Sequence, residues 1–211
     1  MVLDLKGITK KYNGETVLED VSMSFETGKR YLLKGVSGAG KTTIIRLIMG
    51  LEEPDAGLIA IHNGSGSSFR DYKKSLKTVR FGTVFQEDRL CENKDALTNI
   101  RIVNSGLSRD DIMSELDRLL PKEDINKPVS ELSGGMKRRV SLIRACAIDR
   151  DIYLLDEPFT GLDSENAIRA AGYIDEKTRG GILIITSHTE SVLSHISDLK
   201  IYDFGVKNKL T

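Results

Sequence analysis

Cysteine is scarce in this 211-residue chain, which carries only Cys91 and Cys146. Two thiols without metal-ligand spacing exclude a disulfide scaffold and a cysteine metal site. Cys146 lies in the apolar stretch from Leu142 to Ile148, which predicts a buried, inert thiol and suits a reducing cytosol. An excess of one charge is also lacking, because Lys plus Arg and Asp plus Glu each number 31. That balance excludes a uniformly basic nucleic-acid binder and an acidic solvating tail. No long hydrophobic run occurs either. Stretches such as Ile182-Leu183-Ile184-Ile185 fall far short of the roughly 18 residues a membrane span needs. Asp4 and Lys6 stand where the apolar part of a secretory leader would lie, so none is expected, and any work at a membrane must be brought there by another chain.

What remains is an ordinary globular composition, with 39% apolar and 29% charged residues. At roughly 150 residues per domain, residues 1–211 form one domain, or one core with an inserted lobe. Short β-branched runs alternate with longer amphipathic segments. Strands are predicted at Val21–Phe25, Arg30–Lys34, Gly57–Ile61, Phe81–Phe85, Ile152–Leu155, Ile182–Ile185 and Leu199–Tyr202, with a turn at Thr27-Gly28. Helices are predicted at Thr42–Met49, closed by Gly50, and at Arg138–Ile148. Gly64-Ser65-Gly66-Ser67-Ser68 reads as a loop. From 87 to 130 the strand pattern stops. Ser108 and Asp111 resemble a capping box, and Ile112, Leu116, Leu119 and Leu120 follow at helical spacing, so this stretch reads as an inserted helical lobe. Strands alternating with helices imply an α/β fold with a mostly parallel sheet covered by helices.

Gly35-Val36-Ser37-Gly38-Ala39-Gly40-Lys41-Thr42 matches the phosphate-loop pattern, with a strand before it and a helix after it. Glycines let the backbone curl so that successive N–H groups converge, and the helix N-terminus behind them favours anionic phosphate. Lys41 can reach the β- and γ-phosphates, and the Thr42 hydroxyl can ligate Mg²⁺. A chance match is expected on the order of once per hundred chains, so the motif alone argues for nucleotide binding without naming a reaction.

The apolar run Ile152-Tyr153-Leu154-Leu155 ends in Asp156-Glu157-Pro158. Such a strand delivers Asp156 to the sheet edge beside the loop, where it can support Mg²⁺, and Glu157 can polarise an attacking water. The plain alternative is a strand running into an acidic, solvated turn.

Leu132-Ser133-Gly134-Gly135-Met136, ahead of a helix, offers a second anion-binding helix start; its plain alternative is an N-cap serine with flexible glycines. Together, and in this order, these motifs resemble the ATP-binding cassette (ABC) ATPases over nearly the whole chain, and Leu132–Met136 resembles that family's signature. The resemblance implies a P-loop NTPase (RecA-like) core with an N-terminal antiparallel β lobe and an inserted helical lobe. It also implies ATP and Mg²⁺ as ligands. Gln86 then resembles the Q-loop glutamine that senses Mg²⁺ and the attacking water. Gly161-Leu162-Asp163 resembles the D-loop, His188 the switch histidine at the γ-phosphate, and Tyr12 the aromatic that stacks on adenine. Each has a plain alternative: a surface glutamine, a core histidine, a packing aromatic. Residues 35–43, through Thr43, would hold the ATP, with Ser133, Gly134, Gly135 and Asp163 also at the nucleotide. Glu157, His188 and Gln86 would carry catalysis, and Thr42, Gln86 and Asp156 the metal.

The resemblance further implies a homodimer or paired cassettes, head to tail, with each signature capping the partner's γ-phosphate. Integral-membrane permease subunits would dock near the helical lobe, with a substrate-binding protein as a further partner, no nucleic acid, and a cytoplasmic place on the inner face of the membrane. Val84-Phe85-Gln86-Glu87-Asp88-Arg89-Leu90 resembles importers of the nitrate, sulfonate and taurine type. Two positions depart from the family: Thr189 follows His188 where many relatives have Asp, and Val129-Ser130-Glu131 separates Pro128 from Leu132 by one residue more than usual. The alternatives are an ABC-type ATPase driving export or a process other than transport, and a P-loop kinase. A guanine-nucleotide switch fails because Ala96 stands where its base-reading motif, begun at Asn93-Lys94, requires Asp.

Overall fold

The computed structural model describes residues 1–62, 72–188 and 190–204. Gly64–Ser68 and Thr189, singled out above, lie outside the described residues. The strands β3 (Arg30–Lys34), β5 (Phe81–Val84), β6 (Ile152–Asp156), β7 (Ile182–Thr186) and β8 (Leu199–Asp203) form a sheet in the order β5-β6-β7-β3-β8, and every pairing in it is parallel. β6 and β7 are buried at every position. Their unbroken apolar runs suit central strands covered on both faces.

Alternation along these strands sorts side chains into two cores. Tyr153, Leu155, Leu183 and Ile185 join the core shared with the helices that follow β5. Ile152, Leu154, Ile182, Ile184, Tyr31 and Leu33 join the core beneath the N-terminal sheet. That second sheet is antiparallel, in the order β2-β1-β4, from β1 (Val2–Tyr12), β2 (Glu15–Glu26) and β4 (Ala56–His62). β1 and β2 are joined at Asn13-Gly14, with φ of 50° and 86°, as expected for an Asn-Gly hairpin turn. The sequence did not mark β1. Its buried residues Leu3, Leu5 and Ile8 break alternation where the register shifts between Leu5 and Ile8, and a bulge of this kind hides a strand from period-2 reading.

Between β5 and β6 lie α3 (Ala96–Val103), α4 (Arg109–Leu119) and α5 (Gly134–Cys146), which pack on one another. The remaining helices are α1 (Lys41–Ile48), α2 (Tyr72–Ser75), α6 (Ser164–Lys177) and α7 (Glu190–Leu193). Ser108 caps α4 as predicted: its Oγ accepts from the Asp111 N–H at 3.1 Å, and the Ser108 N–H donates to Asp111 Oδ2 at 3.1 Å. α5 begins at Gly134 and not at Arg138, because Ser133 caps it and the two glycines already belong to its first turn. Cys146 is buried and its thiol pKa is pushed up to about 12 by desolvation. Among the described residues no helix is long and apolar enough to cross a membrane.

Candidate nucleotide site

Parallel strands bring their carboxyl ends to one edge of the sheet, where ligands of α/β folds bind. The loop 35–40 joins β3 to α1 at that edge. Gly40 has φ of 92° and caps α1 without a side chain, so the N–H groups of the first turn face a ligand with no competing cap. At that φ any L side chain is strained, and a Cβ would stand 2.6 Å from Leu18 Cδ2, so Leu18 would also have to shift. Lys41 is buried, and its ammonium donates to the carbonyls of Gly35 at 2.7 Å and Val36 at 2.9 Å. The charge is thereby held within the curl of the loop.

Asp156 ends β6 and is buried. Its Oδ2 accepts from the Thr42 hydroxyl at 2.8 Å, and its Oδ1 accepts from the Thr186 hydroxyl at 2.6 Å. Asp156 and Thr186 are register partners of β6 and β7, which explains the second bond. A carboxylate and a hydroxyl side by side at the loop are hard oxygen donors of the kind that hold Mg²⁺ together with substrate phosphates. Among the described residues no cluster of three or more His, Cys, Asp or Glu that could hold a metal ion is present.

Glu157 follows with φ of 50°, an uncommon conformation for a non-glycine residue. Its N–H donates to Thr186 Oγ1 at 2.9 Å and lies 3.2 Å from the Thr186 carbonyl. Its carboxylate accepts from the His188 N–H at 3.2 Å through Oε2, while Oε1 lies 3.2 Å from His188 Nε2. That second approach lacks hydrogen-bond geometry, so buried Oε1 has no hydrogen-bond partner. His188 is exposed and not a core histidine. Gln86 is exposed just beyond β5, with its backbone carbonyl accepting from Arg138.

Tyr12 ends β1 at 37% exposure, too open for a core aromatic. Its hydroxyl hydrogen-bonds the Glu52 carboxylate, which also accepts from Arg46 at 3.2 Å. Desolvation, then the bond to Glu52, raises its pKa.

Ser133 Oγ accepts from the Met136 N–H at 3.2 Å, and Asp163 Oδ1 accepts from the Asn166 N–H at 2.9 Å. Both side chains thus cap helices. A Cβ at Gly135 would stand 2.8 Å from the Gly161 carbonyl, so the 132–136 turn and the 161–163 loop touch. Among the described residues, no hydrogen bond or ion pair joins Ser133, Gly134 or Gly135 to residues 35–43. Sequence reasoning missed Thr186, Arg138, Arg139 and Asn166. The buried Arg139 donates to Asn166 Oδ1 at 2.9 Å and to the Gly135 carbonyl at 3.3 Å. Thr186 could have been found as the polar end of an apolar strand, the counterpart of Asp156.

A family model described as ABC transporter matches residues 18–160. The taurine import ATP-binding protein TauB of Yersinia pestis bv. Antiqua is 31% identical over 216 residues, covering 97% of this chain and 80% of that protein. Nod factor export ATP-binding protein I of Ralstonia nicotianae is 31% identical over 218 residues, covering 98% of this chain and 65% of that protein. Among solved structures, an ATP-binding cassette in a dimeric post-hydrolysis state bound to ADP and Pi matches with a TM-score of 0.80 at 25% identity, covering 98% of this chain and 97% of that chain.

Proposed function

The chain belongs to the ABC transporter family as one of its ATPase cassettes, and we propose that its ATP hydrolysis drives a solute across a membrane through a separate permease, by closure and opening of a head-to-tail dimer. The observation that carries this reading is Asp156 holding both Thr42 of the phosphate loop and Thr186 of β7, with Glu157 next in the chain.

Residues 35–43 bind the ATP phosphates through loop and helix N–H groups and Lys41, and Tyr12 stacks on the adenine. Thr42 and Asp156 would hold Mg²⁺, with Gln86 as a further ligand from the segment after β5. Held by these residues, such an ion would supply positive charge to offset that of the phosphates. Glu157 takes a proton from the water that attacks the γ-phosphorus, and the bond to the bridging oxygen breaks to release ADP and inorganic phosphate. Thr186 fixes the backbone of Glu157, and His188 stands between Glu157 and the γ-phosphate.

Among the described residues, the second helix start, Ser133–Gly135, makes no hydrogen bond or ion pair with the loop of its own chain, which supports its use on a partner's nucleotide. An isologous, two-fold interface then closes two sites at once. ATP favours the closed dimer through contacts that hydrolysis removes. Exposed Ile102 and Val103 at the end of α3 support residues 87–130 as the lobe that meets the permease and holds the cassette at the cytoplasmic face of the membrane. Solute and direction belong to the permease, since an importer and an exporter resemble this chain equally; an importing system would add a substrate-binding protein.

Glu157→Gln tests the reading. It keeps the side chain's size and removes the base, so Mg²⁺ and ATP are expected to trap a dimer seen by light scattering. A variant that stays monomeric under those conditions, or a wild-type chain that turns over ATP as a monomer, overturns the dimer mechanism. A membrane pull-down that recovers no integral-membrane subunit overturns the permease.

A further inference from the structure

The helix that begins at the signature also grips the segment carrying Gln86. Arg138 is only 4% exposed, and its guanidinium donates to the Phe85 carbonyl at 2.6 Å and the Gln86 carbonyl at 2.7 Å. It lies 3.1 Å from Asp88 Oδ1, an oxygen with no hydrogen bond. Further along α5, Ser141 Oγ donates to the Asp88 carbonyl at 2.9 Å. Arg144 donates to the carbonyls of Asp88 and Arg89, each at 2.7 Å. The backbone just past β5 thus gives its carbonyls to side chains of one helix. A planar fork suits two successive carbonyls in a way that a single ammonium does not.

We propose that Arg138 is a positioning residue that fixes Gln86 relative to the signature turn. Ser133 and Arg138 sit on one rigid helix, about 8 Å apart along its axis. The Gln86 backbone is therefore held in fixed register with the signature turn that opens α5. This role rests on the functional reading above, which places Gln86 and the signature at nucleotides.

The test compares Arg138→Lys and Arg138→Met in the full chain, with Arg144→Lys loosening the far end of the same segment as a control. ATP turnover is titrated with ATP at saturating Mg²⁺ and with Mg²⁺ at saturating ATP. Hydrogen exchange at 85–90 is followed without nucleotide. Arg138→Met is expected to lower kcat about tenfold or more while KM for ATP stays within about threefold, because misplacing a catalytic group costs rate more than binding. Its Mg²⁺ requirement rises, exchange at 85–90 quickens, and Arg138→Lys recovers part of the rate. Arg144→Lys keeps kcat within about twofold. A merely structural Arg138 would lower the thermal midpoint with kcat per folded molecule and Mg²⁺ dependence unchanged, and that result overturns the proposal. An equal rate loss in Arg144→Lys also overturns it. A wild-type chain without ATP turnover overturns the functional reading and this role with it; it is told apart because it fails before any variant is compared.

Discussion

Thr42 and Asp156 stand 114 positions apart in sequence, yet the threonine hydroxyl donates to the carboxylate at 2.8 Å. One residue belongs to the first turn of α1 and the other to the last position of β6. Their meeting joins the glycine-rich loop, to which phosphate binding is assigned above as a proposal, to the strand that ends in two acids. Asp156→Asn keeps the shape and removes the charge, so ATP turnover is expected to fall about 100-fold or more, with a higher Mg²⁺ requirement. Stripping Mg²⁺ with a chelator should abolish turnover in the wild type. Turnover that persists in the chelator, or an Asp156→Asn enzyme of normal rate, would falsify the assignment.

Thr186 lies beneath both acids, buried completely. Replacing it with valine keeps the volume but strands Asp156 Oδ1 and takes one acceptor from the Glu157 N–H. A loss of about 1–3 kcal/mol in urea unfolding is expected, the cost of an unsatisfied buried polar group. Turnover should fall as well, because Glu157 loses its backbone anchor. Unchanged stability with unchanged turnover would show that the bridge is incidental.

Tyr12 carries two separable features, its ring and its tie to Glu52. Tyr12→Ala is expected to raise KM for ATP roughly tenfold with little change in kcat, since base stacking on an aromatic is worth about 1–3 kcal/mol. Tyr12→Phe keeps the ring and should stay close to wild type. Equal effects of the two variants would move the role from the ring to the hydroxyl.

Asp88 gives a pH-dependent outcome. Desolvation raises its pKa above the ordinary 3.8, outweighing the attraction of Arg138 and Arg144. The folded state therefore disfavours the ionised form relative to the unfolded chain, and the penalty is present at neutral pH. It is relieved as pH falls through the raised folded value, and is gone below 3.8. Asp88→Asn should be at least as stable as wild type at pH 7, with the difference shrinking in acid. A marked loss of stability in that variant at pH 7 would mean that the arginines stabilise the carboxylate by more than its burial costs.

The phosphate loop and the strand ending in Asp156 were legible because each is local: a run of glycines before Lys41, and four apolar residues before two acids. The parallel sheet followed from alternation of strands and helices. β1 was not legible, because its bulge moves Ile8 out of phase with Leu3 and Leu5. α6 was also missed. Three of its five buried residues are the alanines Ala167, Ala170 and Ala171, with Tyr173 and Ile174 only near its end, so the apolar stripe is weak over its first half. Arg138 and Arg139 were placed only as the start of a helix, and nothing in the sequence marks them as buried, yet both are. The carbonyls that satisfy them come from residues 85, 86, 119 and 135, of which only the last is a neighbour in sequence. Contacts of that kind leave no trace in composition or spacing.

Consecutive side chains of β6 serve two different interiors, one above the central sheet and one below. Sliding that strand by a single position would push Leu154 and Leu155 each into the wrong compartment, and no compensating move could satisfy both. The oily wall therefore doubles as a ruler: it decides which acid arrives under Thr42 and which arrives one step later. Enlarging or trimming Leu154 or Ile184, far from any phosphate, would reach the chemistry by misaligning those acids, with no contact to nucleotide at all.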